Sequence, residues 1–83
     1  MHLSREYSDP REHIEVARIP LTQFTELRVT KIMGDNGVED VDVRSWYCTR
    51  KDPTMRVSQK GIRMNVENTK ALVSELEKIL SEV

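Results

Sequence analysis

Between Arg44 and Arg63 the chain sets six cations, Arg44, Arg50, Lys51, Arg56, Lys60 and Arg63, against the lone carboxylate of Asp52, a local charge of +5. The flanking stretches are acidic: residues 1–27, 28–43 and 64–83 each carry −2. A basic block between acidic ones has the electrostatic form of an anion-binding strip. A solvated charged loop has the same composition, but here two aromatics, Trp46 and Tyr47, stand at the leading edge. Unpaired nucleobases expose flat π faces, and stacking one on an aromatic ring is worth about 1–3 kcal/mol whatever the base. Phosphates need cations at reachable spacing. On an extended segment Arg56, Ser58 and Lys60 fall on one face, roughly 6.6–6.8 Å apart, near the phosphate spacing of a stretched single strand. Arg28 and Arg44 on neighbouring strands would carry that strip across a sheet.

Other chemistries find little support. Cys48 is the only cysteine, which excludes an internal disulfide, and with His2 and His13 it makes no zinc-ligand spacing. There is no Ser/His/Asp or Cys/His grouping and no Gly-rich phosphate loop, so neither an enzyme nor a bound cofactor or metal is expected. Asp42 and the Glu39-Asp40 pair, beside so many Lys and Arg, read as ion-pair partners. The total charge of −1 excludes a polycation that coats nucleic acid in bulk. No apolar run nears the ~20 residues of a membrane span, and Met1 to Pro10 lacks a signal-type apolar segment. The expectation is an intracellular protein with no membrane partner.

The elements that must position these residues follow from periodicity. Residues 1–13 are polar and aperiodic and read as a disordered tail ahead of a domain over 14–83. Ile14 to Ile19 alternates before Pro20, as an edge strand does. Glu26 to Met33 and Val38 to Cys48 alternate on either side of Gly34-Asp35-Asn36-Gly37, a hairpin signal in which Asn-Gly accepts positive φ. Trp46 and Tyr47, as strand neighbours, point to opposite faces, so one serves an exposed surface while the other packs; the pattern leaves open which. Met55 to Met64 is a fourth strand, with Gly61 marking a bulge or a close approach by another backbone or a ligand. Asn65 is a helix N-cap, followed by apolar positions at Val66, Leu72, Val73, Leu76, Ile79, Leu80 and Val83, an amphipathic helix of about 17 residues. The fold class is α+β: a four-stranded antiparallel sheet, then one helix (ββββα). One helix over four strands leaves a thin core, and a chain this short buries only about 60% of its unfolded surface, so a homodimer is expected.

Val41-Asp42-Val43-Arg44-Ser45-Trp46-Tyr47, followed after a polar connection by Lys60-Gly61-Ile62-Arg63-Met64-Asn65 and a terminal amphipathic helix, resembles the positive-cofactor-four coactivators, a single-stranded-DNA-binding family with bacterial and viral relatives. The resemblance covers about residues 24–82. It implies a curved four-stranded sheet and a kinked helix, dimerised to form grooves for single-stranded or melted DNA, with work in transcription or in replication and recombination beside polymerase or recombination proteins. It assigns Lys60, Arg44, Tyr47 and Trp46 to DNA contact. Ile32 stands where the family carries a phenylalanine, and Gln59 where a basic residue is common. The competing readings are a protein-interaction adaptor with incidental nucleic-acid contact, and an RNA binder.

Overall fold

The computed structural model describes residues 9–83. Alternation of β-branched and polar residues produces four strands, β1 (Glu12–Thr22), β2 (Thr25–Gly34), β3 (Gly37–Tyr47) and β4 (Arg56–Asn65), and the switch to three- and four-residue spacing produces α1 (Val66–Leu80). The strands form one antiparallel sheet in chain order, so β1 and β4 are its edges. Pro20 lies in β1, where a missing backbone donor is tolerated on an edge strand. The α+β class and the ββββα order are those expected from the sequence.

The start of β1, the backbone of the β2–β3 turn and the end of the helix differ from the expected ones. β1 begins at Glu12, inside the anticipated tail, because Arg11 anchors the chain there: its guanidinium meets Asp9, lies 2.7 Å from Glu39 Oε1 and 2.9 Å from Asp40 Oδ2. The rest of that anticipated tail, residues 1–8, lies outside the described residues. In the β2–β3 turn only Gly37 takes a positive φ, +115°, while Asn36 does not, so glycine alone supplies the unusual backbone. The helix spans 15 residues and stops at Leu80, where the Ser81 hydroxyl donates to the Lys78 carbonyl at 2.7 Å. Its start is as expected: Asn65 Oδ1 accepts from the Asn68 N–H at 2.8 Å.

Register sorts the side chains into two unlike faces. Val29 pairs with Val43 and Lys31 with Val41, and across the next gap Val43 pairs with Ile62 and Val41 with Met64. These residues, Lys31 apart, make an apolar face, and the first turns of α1 lie beside it, where Val66, Thr69 and Val73 with Val38 and Val41 bound a groove of about 320 Å³. The opposite face carries Arg28 against Arg44, Thr30 against Asp42, and Asp42 against Arg63. Ile32, between its partners His13 and Asp40 on this charged face, is the one wholly buried hydrophobic side chain among the described residues. No residue of α1 is buried, and Leu72, Val73, Leu76, Ile79 and Leu80 are 39–68% exposed. The radius of gyration, 14.6 Å, exceeds the roughly 12 Å of a compact domain of this length. No described helix is long and apolar enough to cross a membrane.

At Gly61 strand β4 lies close against β3. A Cβ there would lie 2.7 Å from the Val43 carbonyl oxygen and 2.8 Å from Arg44 Cγ, so the Arg44 side chain crosses the space a larger residue would fill. Next to it the β3–β4 register slips between Arg44 and Trp46, whose partners are Gly61 and Val57. Gly61→Ala is expected to cost about 1–3 kcal/mol through overpacking, read as a lower midpoint in urea unfolding; an unchanged midpoint would contradict the close approach.

Candidate nucleic-acid interface

On the charged face nearly every cation is matched. Arg44 is only 5% exposed; its Nη2 donates to Asp42 Oδ1 at 3.0 Å, its Nε to Oδ2 at 3.3 Å and its Nη1 to the Gln59 carbonyl at 3.3 Å. A buried guanidinium is retained only when its donors are filled in this way. Arg63 reaches Asp9 at 3.2 Å and Asp42 at 3.5 Å. Arg28 donates to Glu26 Oε2 at 2.6 Å, lies 3.6 Å from Glu15, and stacks its guanidinium 3.7 Å from the centre of the Trp46 ring. Arg18 pairs with Glu15 at 2.7 Å. The Asp9 carboxyl is held well below the usual carboxylate range, first by the Arg11 guanidinium and then by the Arg11 backbone N–H. Arg11 and Arg18 are correspondingly raised by their carboxylate partners. This surface has charge but little net charge.

The expected single strip is therefore divided. Arg28, Arg44 and Trp46 share the charged face, whereas Tyr47 and Arg56 are register partners on the apolar one. Ser58 and Lys60 fall in the register slip of edge strand β4, where the backbone N–H of Lys60 donates to Ser58 Oγ at 2.9 Å. The slip is the physical reason that simple alternation does not set Arg56, Ser58 and Lys60 in one row with Arg28 and Arg44. Arg44 and Arg28 are placed as structural cations, engaged by neighbours rather than presented to solvent.

At the far end of the sheet the balance reverses. The β3–β4 connection is a fixed turn: Thr49 N–H donates to the Asp52 carbonyl and Asp52 N–H to Thr49 Oγ1, both at 3.1 Å. The Asp52 carboxyl is kept below its ordinary range, chiefly by the backbone N–H of Thr54 and also by Arg56 at 3.0 Å. The turn carries Arg50 and Lys51 outward, both exposed. Among the described residues, Arg50, Lys51 and Lys60 make no ion pair, and the Arg56–Asp52 pair is exposed and readily exchanged for a phosphate. Tyr47, 40% exposed, stands beside them, bordering a depression of about 250 Å³ with Cys48, Thr54 and Arg56.

Phe24 belongs to this end and was not singled out from the sequence. Its carbonyl accepts from the Cys48 N–H at 2.9 Å, and the Arg50 guanidinium lies 5.8 Å from its ring centre. A lone phenylalanine ahead of a strand carries no signal of its own; only the hairpin pairing that brings Thr25 opposite Tyr47 reveals it. No group of three or more metal-ligating side chains occurs among the described residues. No family model, no curated protein and no solved structure matches this chain.

The division between structural and presented cations has a measurable consequence. Asp42→Ala strands the buried Arg44 charge and should cost about 3–5 kcal/mol. Lys60→Ala should stay within about 0.5 kcal/mol of the parent. Chemical unfolding of both variants checks this, and equal effects would contradict the division.

Proposed function

We propose that the chain binds single-stranded or melted DNA as a homodimer, gripping phosphates with Arg50, Lys51, Lys60 and Arg56 and stacking bases on Tyr47 and Phe24. The observation that carries the reading is the set of exposed cations, Arg50 and Lys51 on the turn and Arg56 and Lys60 on edge strand β4, with the exposed Tyr47 opposite Arg56. Backbone charge supplies the affinity and π faces supply sequence-tolerant contact, which is the division of labour single-strand binders use. The resemblance in the Trp46 and Lys60 segments points the same way, and to work in transcription or in replication and recombination.

Each free cation that meets a phosphate adds about 0.7 to the slope of log affinity against log salt. Titrating oligo(dT) at several salt concentrations, with the single tryptophan as fluorophore, should give a slope that falls by about 2 in the Arg50→Ala, Lys51→Ala, Lys60→Ala triple variant. Arg28→Ala should leave the slope nearly unchanged. Binding without salt dependence would favour the adaptor reading, and tighter binding of a matched RNA oligomer would favour RNA.

The homodimer reading rests on the bare helix stripe and the half-open apolar face. A stable pairing buries about 800 Å² per partner, and the exposed Leu72, Val73, Leu76, Ile79 and Leu80 of the helix, with the neighbouring Ile62, offer an apolar surface for it. A second copy is favoured over a foreign partner because the chain by itself encloses so little. Sedimentation at micromolar concentration should return twice the 9.7 kDa chain mass, and Leu76→Asp with Ile79→Asp should return the monomer or an unfolded chain. A monomeric parent would contradict the dimer.

A further inference from the structure

We propose that the cavity beside Trp46 on the charged face is a nucleobase subsite that selects bases bearing an exocyclic amino group, cytosine and adenine over thymine. The inference rests on the single-strand reading and adds to it a base preference that stacking on Tyr47 and Phe24 does not supply. The cavity holds about 230 Å³ and is bounded by Trp46, Val57, Thr30, Glu15 and Asp42 among others. One face of the indole is taken by the Arg28 guanidinium, which does not line the cavity, so the cavity meets the part of the ring that Arg28 leaves uncovered. Val57, the register partner of Trp46, supplies an apolar wall. A flat ring entering the cavity meets an aromatic surface at Trp46 and an aliphatic one at Val57.

The rim carries acceptors at Glu15, Thr30 and Asp42 beside His13, Arg44 and Arg63. Glu15 Oε2 accepts from Arg18, whereas Oε1, paired with Arg28 at 3.6 Å, accepts no hydrogen bond among the described residues. The Thr30 hydroxyl makes no hydrogen bond among the described residues. Arg44 and Arg63 also border the cavity, paired with Asp42 and Asp9, and the Arg63 Nε is buried without a hydrogen bond among the described residues. A phosphate entering here would face Glu15 and Asp42 without a net cation to hold it. A base amino group would instead find a carboxylate acceptor. Cytosine N4 and adenine N6 are such donors; thymine presents the O4 acceptor at the equivalent edge and would meet the carboxylate lone pair to lone pair. The path is short as well, since β4 is an edge strand: a backbone held at Arg56 and Lys60 can turn one base over Val57 into the slot.

The test uses the full chain and matched oligo(dC), oligo(dA) and oligo(dT) of one length at one salt concentration, read by Trp46 fluorescence and by competition. The expected result is binding of dC and dA about 5-fold or more tighter than dT, with deeper Trp46 quenching. Glu15→Gln should bring the ratio toward one, while Lys60→Ala should weaken all three and leave the ratio intact. Equal affinities and equal quenching in the parent protein would overturn the subsite while leaving single-strand binding standing, whether or not the Glu15 variant folds. No binding of any oligomer would overturn both.

Discussion

The two faces of the sheet are furnished the wrong way round for a molecule that stands alone, and the rest of the structure turns on that. The apolar face, with Val29, Val43 and Ile62, is the one left half open, and the helix that borders it buries none of its own residues. The charged face holds Ile32, the single wholly buried hydrophobic side chain among the described residues, and two buried ionic groups, Asp42 and Arg44. Burial of apolar surface contributes about 25 cal/mol per Å², so a chain that encloses this little gains little from folding by itself. A second copy laid against the stripe at Leu72, Leu76 and Ile79 would supply what is missing. It would also bring Tyr47 and Arg56, which lie on the apolar side, close to the shared surface.

Pairing, rather than composition, decides which cations can act on a ligand. The block from Arg44 to Arg63 carries +5 as a sequence, yet Arg44, Arg56 and Arg63 each meet a carboxylate in the fold, leaving Arg50, Lys51 and Lys60 without an ion pair among the described residues. Arg44 is the clearest case. It lies across Gly61, where no side chain stands in its way, and fills its donors on Asp42 and Gln59. Freeing it for a phosphate would expose Asp42 and open the slot over Gly61, so its place is structural, and the presented charge belongs to the turn and the β4 edge.

Local signals were the legible ones. Asn65 as an N-cap, the alternation that separates Trp46 from Tyr47, the close approach at Gly61 and the order of elements all follow from neighbouring residues, because caps, pleats and turns are short-range physics. What stayed hidden depends on residues distant in sequence. Arg63 meets Asp9 across 54 positions, and Arg11 meets Glu39 across 28, so nothing in the basic block announces which members are spoken for. The register slip that displaces Ser58 and Lys60 is likewise a property of two strands together. Phe24 joins the aromatic end only because a hairpin and a backbone bond from Cys48 carry it there.

The central claim is that unpaired strands are held at the end of the sheet formed by Tyr47, Phe24 and the turn after β3. Ultraviolet crosslinking of a short photoreactive oligonucleotide to the intact protein, with the attached residues mapped by mass spectrometry, tests it most directly. The account predicts adducts at Tyr47, Phe24 and within residues 50–60. Adducts confined to α1 or to the outer edge of β1, or none at saturating oligonucleotide, would contradict it.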